Sequence, residues 1–269
     1  MSDMERKGDK ERHISHSQIN MLLKCGIQYQ FRYIDGIIAP PSASLVRGKC
    51  GHTTLEKNFR QKIQTKEDLP IEEVKDAFSD EWEKSKYEIV WKKKEIGDLS
   101  PAKAGGIFKD SGIALVSKFH ENLSPLIQPV AVEDKFEIHF EGGYPKLIGF
   151  IDREDEGDEI GEVKFVGKSP SADDAQSDIQ LTIYDLGYRT KHGKPPKKLK
   201  KQYAVNTKEP KTVVQEVGCR DDATINRLMW RMQAAMIALE KGVFLPAPAG
   251  SWWCGENWCG YWDRCKYRP

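Results

Sequence analysis

Three short β-prone runs in the middle of the sequence constrain the fold more than any other feature. They cover residues 130–140, 146–153 and 159–166, and glycine-rich turns separate them, as between consecutive strands of a meander. Helical periodicity returns over 174–192. Two further strands are predicted at 200–206 and 212–219. This order of elements predicts an α/β fold with a central mixed β-sheet that is flanked by helices.

The first half of the chain is predicted to be mostly helical, because apolar residues recur there at spacings of three and four. Ser15 or Ser17 can cap the first helix, and Asp221 or Asp222 can cap the last. Besides 174–192, the predicted helices are 15–33, 46–63, 67–95, 106–122 and 221–242. We therefore expect an N-terminal helical region before the sheet.

The composition predicts one domain. A chain of 269 residues with 39% hydrophobic content can bury one substantial core. The charged segment 1–12 is expected to be a disordered lead-in, and 13–269 to form the domain. Within it we expect a helical insertion at about 65–125 and a cysteine-rich, metal-binding tail at 246–269.

The same composition bears on the compartment and the partners. No run approaches the ~20 apolar residues that span a bilayer, and the N-terminus lacks the apolar stretch of a secretory signal. We therefore expect a cytoplasmic protein that does not bind membranes. The net charge of +1 neither favours nor excludes a nucleic-acid partner, because such proteins often concentrate positive charge locally.

Two carboxylates and a lysine form the most informative pattern, GFID followed by EVK. Asp152 lies at the end of one predicted strand, and Glu162 and Lys164 share one face of the next. Two clustered carboxylates suit Mg²⁺ or Mn²⁺, and Lys164 can hold a water or offset phosphate charge. The side chain of Val163 points into the core, which leaves its carbonyl free. The alternative is an exposed charged strand; the apolar run IGEVKFVG argues against it, because unpaired buried charges are costly.

Two helical pairs support this site. His52 and Glu56 are four residues apart and share one helical face, and a neutral imidazole is a good additional metal ligand. Gln180 and Tyr184 have the same spacing on the helix that follows the strand of Glu162. Each pair alone is more often a packing or capping feature. Their combination with the acidic pair favours an active site.

This combination resembles the RecB-like branch of the PD-(D/E)xK nuclease superfamily, which includes CRISPR-adaptation exonucleases and many phage-encoded exonucleases. The resemblance covers most of the chain. Its motifs are the opening helix ISHSQINMLLKCGIQYQFRY, the GxxxHxxxE segment 48–56, GFID, EVK and the QxxxY helix. Two positions depart from the commonest pattern: Ile151 replaces a proline, and Glu162 stands where many members have aspartate.

The resemblance implies a restriction-endonuclease-like core and a role for each motif residue. His52, Asp152, Glu162 and the carbonyl of Val163 would bind Mg²⁺ or Mn²⁺, and Lys164 would be the catalytic lysine. The remaining members of the catalytic set would be Gln180, Tyr184 and Glu56. The implied chemistry is phosphodiester hydrolysis, in which water attacks in line with the leaving oxygen.

Four of the six cysteines fit the same resemblance. It implies that Cys25, Cys254, Cys259 and Cys265 hold a 4Fe–4S cluster, which clamps the tail onto the first helix. Cys254 and Cys259 have four residues between them where two are commoner. Zinc is the alternative metal, although the paired CxxC motifs that usually indicate it are missing from the sequence; unligated thiols are the third reading. Cys50 and Cys219 are expected to be small core residues.

A basic run at 191–201 is a candidate DNA contact, and a solvated loop is the equally weighted alternative. Its lysines are Lys191, Lys194, Lys197, Lys198, Lys200 and Lys201. The function we expect is a DNA exonuclease that acts on single strands or duplex ends, in recombination, repair or phage DNA metabolism, with a partner protein from such a pathway. A structure-specific endonuclease and a non-catalytic DNA-binding subunit are the alternatives.

Overall fold

The computed structural model describes residues 13–91, 93–140, 142 and 144–269, so the predicted lead-in at 1–12 lies outside the described residues. The described chain contains a six-stranded mixed sheet. Its strands are β1 (His13–Ser15), β2 (Pro129–Ile138), β3 (Lys146–Asp155), β4 (Glu159–Val166), β5 (Lys198–Val205) and β6 (Lys211–Gly218). The short strand β1 was not predicted.

Strand β3 is the centre of the topology. It pairs with β2 antiparallel over most of its length, with β4 antiparallel at its C-terminal end and with β1 in parallel at its N-terminal end. Beyond β4 the order continues with β5 in parallel and β6 antiparallel. Both strand directions occur, as predicted for a mixed sheet.

Helices cover both faces of the sheet. They are α1 (His16–Lys24), α2 (Gly26–Tyr29), α3 (Ala43–Thr65), α4 (Ile71–Ser85), α5 (Lys93–Ile96), α6 (Pro101–Asn122), α7 (Asp174–Ser177), α8 (Ile179–His192) and α9 (Asp222–Glu240). One apolar core joins β2, β3 and β4 to α1, α8 and α9. A second joins the opposite face to α3 and α6, and a third packs α4 against these two helices. The predicted α/β fold is therefore confirmed.

The predicted first helix is broken at Cys25, which has extended backbone angles of φ −163° and ψ 102°. The N–H of Gly26 donates to the carbonyl of Leu245 at 2.7 Å. A Cβ on Gly26 would lie only 2.7 Å from the nitrogen of Leu245, so the tail backbone passes directly over this residue. The break is a tertiary effect, which is why helical periodicity continues through it and gave no sign of it.

Other element boundaries also differ from prediction. The predicted helix at 67–95 ends at Ser85 and is followed by a 3-10 turn, Lys86–Glu88, and by the short α5. Helix α6 begins five residues earlier than predicted, because Ser100 caps it and Pro101 occupies its first position. In the described chain, no helix combines the length and the apolar character that crossing a membrane requires.

Candidate active site in the fork between two strands

Strands β3 and β4 pair over only three positions, from Asp155–Glu159 to Arg153–Gly161. Beyond these pairs the strands separate: β4 continues beside β5, and the other end of β3 pairs with β1. We call this opening the fork. Asp152 and Glu162 are the first residues beyond its last pair, so both carboxylates lie in the opening.

Helix α8 closes the fork with a hydrogen-bonded network. Gln180 Nε2 donates to Glu162 Oε2 at 3.0 Å, and Lys164 Nζ donates to Gln180 Oε1 at 2.9 Å. Tyr184 donates its hydroxyl proton to Asp152 Oδ1 at 2.6 Å, and Lys164 contacts Glu162 directly. One helix face thus orients both acids and the lysine.

The start of α8 explains why these side chains reach the fork. Asp178 caps the helix by accepting from the N–H of Leu181 at 3.0 Å, which separates α8 from the preceding α7. Gln180 and Tyr184 then lie in the first turns, four residues apart on one face. Their mutual hydrogen bond, from Gln180 Nε2 to the Tyr184 hydroxyl, is 2.6 Å long.

His52 approaches the same site from the other side, on α3. Its Nδ1 is 3.6 Å from Asp152 Oδ2, and its ring bonds the backbone carbonyl of Val163. The approach depends on Gly51, since a Cβ there would lie 2.4 Å from Cζ of Phe165 on β4. The packing requirement therefore falls on Gly51, a position that the pattern GxxxHxxxE leaves unspecified.

The electrostatics of the fork favour a bound cation. Glu162 is fully buried, and its pKa is raised well above the ordinary value by burial and by the neighbouring charge of Asp152, against the opposing effect of Lys164. Burial also lowers the pKa of His52, which keeps the imidazole neutral and able to bind a metal. The site is thus a cluster of poorly solvated groups that can act as metal ligands.

The donor set fits a hard divalent cation. Two carboxylates, a neutral imidazole and the carbonyl of Val163 are the kinds of ligands that Mg²⁺ and Mn²⁺ take in proteins. The cleft above them has a volume of about 610 Å³ and is lined by His52, Asp152, Glu162 and Lys164. A metal and a phosphate can both enter from this side.

Glu56 and Glu133 are the other carboxylates at this cleft. Glu56 lines a small cavity together with His52 and Asp152, but its Oε1 accepts from Arg60 at 2.7 Å. Glu133 was not predicted as a site residue. The register of β2 and β3 sets it opposite Asp152, with a left-handed φ of 51°. Burial, followed by the charges of Asp152 and Glu56, raises its pKa to about 7.

His16 is a second residue that the sequence patterns did not reveal. It begins α1, and its ring centroid is 6.4 Å from that of Tyr184. Burial, with the charge of Lys164 as the next cause, lowers its pKa to about 4, so the ring is neutral near pH 7. Only its position in ISHSQ, at the start of a motif of the resemblance, could have indicated it.

Arg153 fastens the base of the fork. It is 1% exposed, and its Nε donates to Asp155 Oδ1 at 2.7 Å while its Nη2 donates to Gln202 Oε1 at 2.6 Å. A Cβ on Gly161 would lie 2.1 Å from this Nη2, so the guanidinium fills the space that a side chain would need. No sequence pattern singled out Arg153 or gave a sign of its burial.

The four cysteines of the predicted cluster lie near one another. Burial raises the pKa of Cys254, and the nearby thiols of Cys25, Cys259 and Cys265 raise it further. Gln28 Nε2 donates to Cys259 Sγ at 3.3 Å. Cys50 is buried, as predicted. Cys219 is exposed, so its prediction as a core residue was wrong.

The basic run at 191–201 is not a continuous loop. Lys191 belongs to α8, whereas Lys198, Lys200 and Lys201 belong to β5, because the chain extends to pair with β4. Lys201 is buried and its ammonium donates to Asp174 at 2.6 Å. The others are also ion-paired: Lys191 with Asp134, Lys194 and Lys197 with Asp158, Lys198 with Glu216 and Lys200 with Glu159. Their role in DNA binding stays a prediction.

One further group could hold a metal ion. The ligand atoms of Asp134, Glu154 and His192 lie within 4.8 Å of one another, and among the described residues no other set of three such ligands is as close. His192 Nε2 is 3.0 Å from Glu154 Oε2. Lys191 already contacts Asp134, so a cationic side chain balances part of the negative charge. Of these three residues, Glu154 lies on β3, two residues after Asp152.

Comparisons with known proteins agree with this fold. A crystal structure from Eubacterium rectale, of a protein named as a candidate exonuclease, is 11% identical, with a TM-score of 0.54 over 90% of this chain and 86% of that one. The structure of SSO0001 is 16% identical over 98% and 90% of the two chains; its TM-score of 0.43 is too low to argue from. No curated protein matches the sequence. The sequence profile of the PD-(D/E)XK nuclease superfamily matches residues 13–266, and the chain belongs to this superfamily.

Proposed function

We propose that the chain is a Mg²⁺- or Mn²⁺-dependent DNA exonuclease of the RecB-like branch. It would act on single strands or duplex ends, in recombination, repair or phage DNA metabolism. The observation that supports this most directly is the convergence of Asp152, Glu162 and Lys164 in the fork, with His52 3.6 Å from the first acid. A likeness in fold alone would not indicate the activity, because one fold hosts many functions.

In this proposal the side chains of the fork divide the work. His52, Asp152, Glu162 and the carbonyl of Val163 would hold the cation, which when bound would polarise the phosphate and offset charge on the leaving oxygen. Lys164 stands beside the scissile phosphate, where its ammonium offsets further negative charge and orients the attacking water.

Two residues of α8 act as positioning groups. Gln180 bonds both Glu162 and Lys164, so it keeps the acid and the amine in a fixed relation. Tyr184 holds Asp152 through a 2.6 Å hydrogen bond, and burial keeps its hydroxyl protonated by raising its pKa well above the ordinary value. Pre-set donors of this kind need little rearrangement during the reaction.

Purified wild-type protein with Mn²⁺ is expected to degrade linear single-stranded DNA and to leave circular single strands intact. An exonuclease needs an end, whereas an endonuclease does not. Gel analysis of both substrates over time makes the measurement. Cutting of the circle would favour the endonuclease. Binding of both substrates without cleavage would favour the non-catalytic DNA-binding subunit.

We further propose that Cys25, Cys254, Cys259 and Cys265 hold a 4Fe–4S cluster. Thiolates around one zinc ion with 2.3 Å bonds lie about 3.8 Å apart. In the described chain no three of these sulfurs lie within 4.8 Å of one another, so the thiols are not preset for zinc; the nearness of all four to one another is what supports the proposal of a cluster. The six free cysteines also fit a reducing compartment, so we propose action in the cytoplasm.

Protein purified without oxygen is expected to be brown and to absorb near ~400 nm, as thiolate-bound iron–sulphur clusters do. Visible absorption together with iron and zinc analysis makes the measurement, with Cys50→Ser as a control outside the cluster. A colourless protein that contains zinc would replace the cluster with a zinc site.

The domain organisation also remains a proposal. It consists of one domain at 13–269, with an insertion at about 65–125 and the tail at 246–269.

A further inference from the structure

A second cavity adjoins the cleft over the fork. It has a volume of about 430 Å³, and we call it the tail groove, since its walls are α3 on one side and the C-terminal tail on the other. Its lining includes large apolar and cationic side chains, namely Arg32, Ile38, Leu45, Lys49, Val90 and Trp258. Leu45 and Lys49 line both the tail groove and the cleft, so the two cavities adjoin at these residues.

The walls of the tail groove expose apolar side chains. Ile38, Leu45, Val90 and Trp258 are each more than half exposed to solvent, although all four are large and hydrophobic. Single exposed apolar residues are common, but several around one cavity usually mark a binding site. Trp258 is 69% exposed and presents the largest flat surface among them.

Cations accompany the apolar walls. Lys49 stands at the junction with the cleft and is more than half exposed, with Glu88 at 3.6 Å as a weak surface partner. Arg32 lies further along the groove, and in the described part of the chain no acid forms an ion pair with it. An aromatic ring together with separate cations is the combination that binds bases and phosphates of a single strand.

The tail is held in place at this groove by direct contacts. Tyr261 donates its hydroxyl proton to the carbonyl of Ile37 at 3.0 Å. A Cβ on Gly260 would lie 2.7 Å from the Cβ of Ala39, so the two backbones approach closely. Trp258 therefore belongs to a wall with a defined position, next to Cys259.

We propose that the tail groove binds a single strand of nucleic acid, with a base stacked on Trp258 and a phosphate at Lys49, and directs that strand into the fork. This inference rests on the proposed nuclease function and specifies its substrate. Within a duplex the base faces are stacked on one another, so the apolar wall can contact the bases of a single strand but not those in the interior of a duplex. The groove adjoins the cleft, and Lys49 lines both, which favours this occupant over an unrelated apolar peptide.

The test is a binding titration in EDTA, so that no cleavage occurs. A fluorescein-labelled oligothymidine is titrated with wild type, Trp258→Ala and Lys49→Ala while its anisotropy is recorded. We expect Trp258→Ala to weaken binding about tenfold, within the range for one base stacked on an aromatic ring. Lys49→Ala should reduce the slope of log K against log salt by about 0.7, the value for one phosphate of a single strand.

Two variants serve as matched controls. Trp230→Ala removes a tryptophan that is 70% exposed on α9, outside the groove. Lys84→Ala removes a helical lysine whose partner, Glu81, is 3.8 Å away. Both should bind the oligonucleotide like wild type. Because Trp258 adjoins Cys259, Lys49→Ala on the opposite wall tests the groove independently of the tail.

The outcomes separate this inference from the proposed function. If wild type cleaves DNA with Mn²⁺ but both groove variants bind like the controls, the proposed role of the groove is contradicted and the proposed nuclease function is retained. The groove is equally contradicted if the variants weaken binding of a matched duplex as strongly as binding of the single strand. If the variants show the expected losses but wild type cleaves nothing, single-strand binding is supported and the catalytic proposal fails.

Discussion

Glu162→Gln is expected to lower Mn²⁺-dependent cleavage of linear DNA by roughly 10³-fold. The substitution keeps the size of the side chain and its hydrogen bond with Gln180, but it removes one of two charged ligands. Charge stabilisation by a metal supplies several kcal/mol, and each 1.36 kcal/mol corresponds to about a factor of ten in rate. Initial rates on a labelled single strand make the measurement.

The control for this prediction is Glu159→Gln, on the same strand. Glu159 pairs with Lys200 at the far end of β4 and should leave the rate within about twofold of wild type. Thermal unfolding adds a readout without catalysis: Mn²⁺ should raise the melting temperature of wild type and not that of Glu162→Gln. Full activity of Glu162→Gln would exclude this residue as a ligand.

Asp155→Ala is expected to destabilise the protein by about 3–5 kcal/mol, because it leaves the buried charge of Arg153 without its partner. That is a large share of the roughly 5–15 kcal/mol that keeps a domain folded. Gln202 can accept only part of the hydrogen bonding of the guanidinium. Urea unfolding, followed by circular dichroism, gives the free energy of unfolding.

The double variant Arg153→Met with Asp155→Leu separates an unpaired charge from lost packing. It removes both charges and retains apolar volume, so its stability should return towards that of wild type. Glu72→Ala, at an exposed carboxylate that pairs with Lys75, is the control and should cost less than about 1 kcal/mol. If Asp155→Ala unfolds at the same urea concentration as wild type, the network at the base of the fork does not stabilise the fold.

The sequence was most informative where local pattern and tertiary structure agree. The β-prone runs at 146–153 and 159–166, with a glycine-containing turn between them, predicted two neighbouring strands, and these are β3 and β4. The i, i+4 spacing of Gln180 and Tyr184 predicted that they share a helix face, and that face contacts the acids of the fork. The catalytic roles of these residues remain predictions.

Long-range contacts explain what the sequence did not reveal. The break at Cys25 depends on the tail backbone at Leu245, and the burial of Arg153 depends on Gly161 having no side chain. The left-handed backbone of Glu133 is equally hidden, because nothing in VAVEDKF sets it apart from a regular strand. Periodicity reports which face a residue occupies and not what comes to lie against it.

The contact between Gly26 and Leu245 has a consequence for how the molecule matures. The first helices are synthesised early, whereas the segment that covers them is synthesised much later. Closing so long a stretch of chain carries an entropic cost before any contact repays it, which slows folding. The groove beside the fork therefore acquires its second wall only after the tail has been synthesised.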